Sequence, residues 1–183
     1  TPGIELVRSV IEHKKVLVLA LNGPAVGGGA AWFLGSADIV FAVESAYLQI
    51  PFSSLGLVPE HGSITNISQS IGVHRANDFL MFGRKMAAAE MEQWGIINRL
   101  FPQEGFHQAV NSFLQKQLEV NDGRSMMYVK QLQNAPLRTN RLVALYDALD
   151  GLTDRLADGV PMERFMKRIQ ELHDKPKGEG SKL

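Results

Sequence analysis

The sequence contains no cysteine among its 183 residues. This absence excludes disulfide bonds, thiolate metal sites and a cysteine nucleophile, although it leaves the redox compartment of the protein open. The five histidines stand at positions 13, 61, 74, 107 and 173, and none belongs to an HExxH motif or another paired metal spacing. We therefore predict no metal site.

The sequence also lacks a net charge and a long hydrophobic run. Nineteen basic residues balance nineteen acidic ones and the pI is about 6.9, so no positive excess favours nucleic acid or anionic lipid. The longest apolar run, residues 16–21, is far too short to span a bilayer, and the N-terminal residues lack the pattern of a signal peptide. We predict neither a nucleic-acid partner nor a membrane span.

The apolar pattern that is present predicts an α/β protein with a helical second part. Strands are predicted over residues 16–21, 39–43, 47–51 and 96–101. Before residue 102, helices are predicted over residues 4–11, 30–35, 63–71, 74–82 and 87–94. After Pro102 every predicted element is a helix, over residues 104–118, 124–132, 137–156 and 162–173.

This pattern divides the chain into an α/β core, residues 1–102, a helical region, residues 103–174, and a polar tail, residues 175–183. The tail ends in Ser181, Lys182 and Leu183. A terminal SKL on an exposed Pro/Gly-containing tail is the address that the peroxisomal import receptor reads. We therefore expect the protein in the peroxisome, with the import receptor as a partner.

Three consecutive glycines, Gly27 to Gly29, follow the first predicted strand and its turn. A dinucleotide fold would need GxGxxG and an acidic residue about 20 positions later, and this spacing is absent. A phosphate loop would need GxxxxGK[ST], but Gly29 stands where the lysine belongs. Two interpretations remain open, namely an amide at a helix N-terminus that binds a developing oxyanion, and close helix-to-strand packing without a ligand.

The segments NGPAVGGGAAW, ADIVFA and PFSSLGLVPEHG together resemble the enoyl-CoA hydratase/isomerase (crotonase) superfamily, and more closely its peroxisomal Δ3,Δ2-enoyl-CoA isomerases of fungal type. The resemblance runs from about Lys14 to Phe101 and is looser in the helices that follow. It implies a crotonase-like spiral of ββα units, here partial, followed by C-terminal helices that build a homotrimer or hexamer. It also implies an acyl-CoA substrate and no cofactor, since CoA is part of the substrate.

The resemblance assigns an oxyanion-hole amide to the middle of the glycine run, which is Gly28. Between the glycines and Asp38 the chain has one residue more than the common family spacing, so Gly27 or Gly29 could take this role instead. The family fold begins with further strand-turn-strand units that supply a first oxyanion amide and half of the sheet, and this chain starts after them. The chain is therefore expected to be a fragment or a truncated paralogue.

Moving a C3 double bond of an acyl thioester to C2 requires one carboxylate that removes a C2 proton and returns a proton at C4. In the isomerases that this chain resembles, this glutamate occupies the position of Glu60. Apolar neighbours, namely Leu55, Leu57, Val58, Pro59 and Ile64, are expected to raise its pKa, and Gly62 to turn the chain past the site. Hydratases carry two glutamates, and the corresponding positions look like Ala31 and Phe52, so hydratase activity is disfavoured.

Other residues near these motifs are weaker candidates. His61 could act as a second acid or base, but neighbouring side chains on an extended loop usually diverge. Asp38 is expected to fix a strand start, and Glu44 to be solvated in a turn. The predicted substrate pocket consists of Ala25, Phe52, Leu55 and Leu57. Further large side chains either line an acyl pocket or belong to the core, namely Trp32, Phe33, Phe79, Met81 and Phe82.

The sequence thus predicts a peroxisomal Δ3,Δ2-enoyl-CoA isomerase in which Glu60 shuttles the proton and Gly28 stabilises the enolate. One alternative is a non-catalytic or truncated paralogue that binds acyl-CoA or serves in assembly. Another is an isomerase or hydratase of the same family that serves a fungal secondary-metabolite pathway, such as a toxin pathway.

Overall fold

The structure is a computed structural model that describes residues 2–34 and 36–174. The predicted import signal, Ser181 to Leu183, lies outside the described residues, as does the side chain of Phe33. None of the helices in the described part is both long and apolar enough to cross a membrane.

Helices and short strands alternate up to Phe101, after which the described elements are helices. The strands are β1 (Val18–Leu21), β2 (Ala25–Val26), β3 (Ile39–Val43), β4 (Tyr47–Gln49), β5 (Lys85–Ala87) and β6 (Arg99–Phe101). The helices of the first part are α1 (Pro2–Ile11), α2 (Gly27–Leu34), α3 (Ser63–Ile71), α4 (Val73–Phe82) and α5 (Ala88–Trp94). Those of the second part are α6 (Phe106–Val120), α7 (Gly123–Asn134), α8 (Arg138–Ala157) and α9 (Val160–His173).

The strands form two small sheets of three strands each. The first has the order β1-β3-β6 with parallel pairing, in which Val18 lies opposite Ile39 and Phe41 opposite Arg99. The second has the order β2-β4-β5, in which β2 and β4 are parallel and β4 and β5 are antiparallel. Because β1 leads through a turn into β2, the chain passes from the first sheet to the second immediately before α2.

One hydrophobic core joins the two sheets to helices α2 to α6. β3 lies in the middle of its sheet, and four of its five residues are buried, as its unbroken apolar sequence predicts. A second, smaller cluster joins α1 to α8 through Ile4, Val7 and Leu145. This smaller cluster brings the first helix and the helical region together beside the loop that precedes α3.

The predicted helices and strands are largely confirmed, and the differences have local causes. The predicted helix over residues 30–35 was too short at its start, because α2 begins at Gly27 and includes all three glycines. The strands β2 and β5 were missed, since two or three residues are too few to show a period. The predicted helix over residues 87–94 began one residue too early, because Ala87 belongs to β5 and pairs with Tyr47.

Candidate active site

The glycine run forms the N-terminal turn of α2. Gly27 has a φ of 62°, in the left-handed region, whereas Gly28 and Gly29 lie in the helix without such a φ. The first amides of a helix have no partner within the helix and stand at the positive end of its dipole. The amide of Gly28 is therefore suited to binding a negatively charged oxygen.

The loop that carries Glu60 turns sharply into α3. The carbonyl of Glu60 accepts a hydrogen bond of 3.1 Å from the amide of Ser63. His61 has a φ of 59° and Gly62 a φ of 69°, so two successive residues are left-handed. A methyl group on Gly62 would lie 3.3 Å from the amide nitrogen of Leu145 in α8, which explains why only glycine fits here. The predicted turn at Gly62 is confirmed.

Gly28 and Glu60 meet, although they are 32 positions apart in the sequence. A methyl group placed on Gly28 would lie 3.2 Å from Oε2 of Glu60. The carboxyl group therefore lies directly against the backbone of the first turn of α2. A carboxyl group next to the first turn of a helix, where amides lack an intrahelical partner, brings together the two elements that proton transfer next to a thioester carbonyl requires.

Burial shifts the pKa of both side chains in the loop, in opposite directions. The side chain of Glu60 is 27% exposed and that of His61 14% exposed. Burial disfavours the charged form, so it raises the pKa of Glu60 and lowers the pKa of His61. The apolar neighbourhood differs from the predicted one, because Ile64 is 44% exposed and faces solvent.

The expectation that His61 diverges from Glu60 is wrong. Nε2 of His61 lies 3.3 Å from Oε2 of Glu60. The expectation assumed an extended loop, but the left-handed conformation at His61 brings the two neighbouring side chains to the same side. Since burial lowers the pKa of His61, the contact at pH 7 joins a neutral imidazole to the carboxyl group and is not an ion pair.

His61 is held by two further elements. Its ring packs edge-on against Trp32 of α2, with centroids 4.7 Å apart and planes at 89°. A methyl group on Gly3 of α1 would lie 3.3 Å from Cε1 of His61 and 3.4 Å from Cζ2 of Trp32. Sequence reasoning weighed Trp32 only as pocket or core, and the one local signal for the contact is a histidine immediately before a glycine turn.

The predicted substrate-pocket residues lie in different parts of the fold. Ala25 lies in β2 and pairs with Leu48, and Phe52 is buried in the main core together with Phe79. Leu57 packs against that core, and Leu55 ends a short 3-10 turn, Ser53–Leu55. The side chains of Arg155 and Arg164 hold this turn by donating to the carbonyls of Gly56 and Ser54, respectively. The role of Ala25, Phe52, Leu55 and Leu57 as pocket walls stays a prediction.

Two of the large apolar side chains lie outside both the core and the region of Glu60. Met81 and Phe82 are 61% and 76% exposed at the end of α4. Glu44 is exposed in a turn, as predicted. Asp38 accepts a hydrogen bond from the amide of Leu17 at 2.7 Å and so fixes the start of β1, in agreement with its predicted structural role.

Asp38 also takes part in a largely buried ion pair with Lys130 of α7. Nζ of Lys130 lies 2.7 Å from Oδ2 of Asp38 and donates to the carbonyl of Lys15. Two adjoining clefts of about 570 and 790 Å³ share Lys130, Asn134 and Arg141 in their lining, and neither is lined by Gly28 or Glu60. We place the candidate chemistry at Glu60, where a carboxyl group of raised pKa lies against the first turn of α2.

Known proteins resemble this chain over most of its length. Residues 1–158 match the family model described as enoyl-CoA hydratase/isomerase. A Delta(3,5)-Delta(2,4)-dienoyl-CoA isomerase of Pyricularia oryzae is 33% identical over 182 residues, which covers 90% of this chain and 62% of the relative. The protein of the same name in Saccharomyces cerevisiae is 31% identical over 174 residues, which covers 93% of this chain and 64% of the relative.

A solved structure shows the same fold. The crystal structure of an enoyl-CoA hydratase/isomerase from Pseudoalteromonas atlantica superposes with a TM-score of 0.84 at 26% identity, covering 92% of this chain and 67% of the other. The chain spans less than two thirds of the length of the two curated relatives. The predicted crotonase-like fold, partial and followed by helices, is therefore confirmed, and the chain belongs to the enoyl-CoA hydratase/isomerase family.

Proposed function

We propose that the protein is a Δ3,Δ2-enoyl-CoA isomerase in which Glu60 carries the proton and the amide of Gly28 stabilises the enolate. The observation that carries this proposal is the approach of Oε2 of Glu60 to Gly28, 3.2 Å from a methyl group placed there. The proposed reaction needs no cofactor beyond the CoA moiety of its substrate.

The reaction has two proton transfers and no net change in protonation. The ionised carboxylate of Glu60 removes a proton from C2, and the electrons move into the thioester carbonyl to form a dienolate. The negative oxygen accepts a hydrogen bond from the Gly28 amide at the positive end of α2. Glu60 then returns the proton at C4, and the double bond comes to lie between C2 and C3. The raised pKa of Glu60 supports the proposal because it makes the carboxylate a stronger base.

Isomerisation is favoured over hydration by the residues at the two positions where hydratases carry glutamates. Ala31 is 1% exposed and Phe52 is 6% exposed, and both belong to the main core. Neither side chain can transfer a proton. Hydration requires a second acidic group that holds and delivers water, and Glu60 alone does not supply it.

A second candidate is dienoyl-CoA isomerisation, which the names of two relatives favour. Conversion of a 3,5-dienoyl to a 2,4-dienoyl thioester moves a proton from C2 to C6. These carbons are separated by four bonds, so a second group is needed to deliver the proton at C6. The approach of Glu60 and Gly28 supports the shorter transfer from C2 to C4, and the relatives support the longer one.

We further propose a peroxisomal location, a role in β-oxidation and assembly into a homotrimer or hexamer. The terminal SKL and the fungal dienoyl-CoA isomerase relatives support the location and the role. Exposed apolar side chains along one side of α9 support assembly through the helical region. These side chains are Met162, Phe165, Met166, Ile169 and Leu172.

The decisive experiment compares the wild-type protein with its Glu60→Gln variant on 3-hexenoyl-CoA and on a 3,5-dienoyl-CoA. Formation of the conjugated 2-enoyl or 2,4-dienoyl thioester is followed by absorbance, and binding of a saturated acyl-CoA by calorimetry. We expect turnover of the 3-enoyl substrate that Glu60→Gln abolishes while binding survives. Turnover of the dienoyl substrate alone would establish the second candidate. Binding without turnover by folded wild-type protein would contradict both and favour an acyl-CoA-binding subunit.

A further inference from the structure

We propose that His61 is a positioning residue that fixes the carboxyl group of Glu60 against the N-terminus of α2. This inference rests on the proposed function, because it concerns the orientation of the proposed base. Nε2 of His61 lies 3.3 Å from Oε2 of Glu60, the same oxygen that approaches Gly28. The same carboxyl oxygen thus lies close both to the imidazole and to the first turn of α2.

The ring of His61 is itself locked in place. The ring contacts Trp32 edge-on, and Gly3 of α1 lies close to Cε1 of the same ring. Trp32 belongs to α2, the helix that also carries Gly28. His61 therefore ties the loop of the base to the same rigid element that supplies the oxyanion amide, which keeps the two groups in fixed geometry.

The backbone at His61 is strained in a way that supports a functional role. A non-glycine residue with φ near 60° costs about 1–2 kcal/mol, although histidine tolerates this conformation better than most residues. Glycine would satisfy the turn at no cost, as it does at the next position, Gly62. A side chain at position 61 is thus maintained against the backbone preference, and its visible contacts are with Glu60, Trp32 and Gly3.

The electrostatics of the pair are those of a neutral donor beside a carboxylate. Burial causes both pKa shifts, and no third charged group of the described chain contributes to either. At 3.3 Å the two atoms are within reach of a hydrogen bond, which the tautomer with its proton on Nε2 would donate to Oε2 of Glu60. Such a donor would stabilise the ionised carboxylate and so oppose the rise that burial causes in the pKa of Glu60.

Three substitutions at the same backbone position separate the donor from the ring. In His61→Gln the amide nitrogen reaches the place of Nε2, and in His61→Phe the ring and its contact with Trp32 are kept without a donor. In His61→Asn the amide is too short to reach Glu60, while asparagine tolerates the left-handed backbone and so protects folding. Steady-state kinetics of each variant give kcat and KM, and the pH dependence of kcat/KM gives the pKa of the base.

We expect His61→Gln to retain kcat within about threefold of wild type, whereas His61→Phe and His61→Asn lose about 10- to 100-fold in kcat with little change in KM. We also expect the acid limb of the pH profile to move to higher pH in His61→Phe, because burial remains and the donor is gone. Wild-type kinetics in His61→Phe together with impaired kinetics in His61→Gln would overturn the proposal and assign the ring a packing role only.

A measurement that needs no turnover separates this proposal from the proposed function. Carbon-13 NMR titration reports the ionisation of the Glu60 carboxyl group, whose signal is assigned by its loss in Glu60→Gln. We expect a higher pKa of Glu60 in His61→Phe than in the wild type and in His61→Gln. Equal values in all three proteins would overturn the contact. If the shift is found and the wild type turns over neither acyl-CoA substrate, the contact stands and the proposed function fails.

Discussion

Alanine in place of each glycine of the α2 N-terminus, one at a time, tests which amide serves the site. The three positions have the same residue type but differ in backbone and in space. Gly27 has a φ of 62°. A methyl group on Gly28 would lie 3.2 Å from Oε2 of Glu60. A methyl group on Gly29 would meet no atom within 4 Å other than those of its chain neighbours and of its own helix backbone.

The expected magnitudes follow from these three surroundings. Alanine at position 27 must adopt a left-handed conformation, which costs about 1–2 kcal/mol and lowers the melting temperature by about 2–8 °C for a domain of this size. Alanine at position 29 fits the helix and raises stability by up to about 1 kcal/mol, whereas at position 28 the close approach to Glu60 offsets part of this gain. At position 28 the methyl group forces the Glu60 carboxyl group to shift by a few tenths of an ångström. Since a misplacement of about 1 Å can cost about 100-fold in rate, we expect Gly28→Ala to lose about 10- to 100-fold in kcat.

The assay combines thermal unfolding, followed by circular dichroism, with isomerisation of 3-hexenoyl-CoA. We expect a stability loss in Gly27→Ala, an activity loss without a stability loss in Gly28→Ala, and neither loss in Gly29→Ala. An activity loss confined to Gly29→Ala would move the oxyanion amide to that position. Full activity in both Gly28→Ala and Gly29→Ala would refute the reasoning, because the helix N-terminus would then not be part of the site.

Four other predictions concern stability, pH, assembly and targeting. Lys130→Met is expected to cost about 1–3 kcal/mol in urea unfolding, because it removes the ion-pair partner of the largely buried Asp38, which keeps its hydrogen bond from the amide of Leu17, and the double variant Lys130→Met/Asp38→Asn should recover part of this loss. The raised pKa of Glu60 means that its contribution to stability is present below the unfolded pKa and lost as the pH rises through the folded pKa. Glu60→Gln should therefore raise the melting temperature relative to wild type more at pH 7.5 than at pH 4, and an equal difference at both pH values would contradict the burial of the carboxylate. Ile169→Glu, on the exposed side of α9, should lower the mass measured by light scattering if that side forms the oligomer, and an unchanged mass would exclude it. Removal of Leu183 should leave a fluorescent fusion in the cytosol, whereas import of the shortened fusion would contradict the targeting signal.

Much of the fold could be predicted from the sequence because its signals are local. The unbroken apolar run of β3 and the glycines that end α3 and α4 set the bounds of these elements within a residue. The resemblance to the family selected Gly28 and Glu60 before their approach was visible, and the structure brings them together. The strands β2 and β5 could not be predicted, since each exists only through pairing with β4.

The environment of Glu60 was decided by tertiary structure. The carboxyl group, the imidazole of His61 and the ring of Trp32 meet because α1, α2 and α8 converge on one tight turn. Sequence spacing gives no information on this, since the direction of a side chain in a loop depends on its φ, and the left-handed His61 stands in a tight turn whose next residue, Gly62, packs against α8. The sequence by itself, through its resemblance to the family, indicated which residues could carry the proton and the negative charge. Only the tertiary structure decided how these residues are oriented and buried, because both depend on contacts between distant parts of the chain.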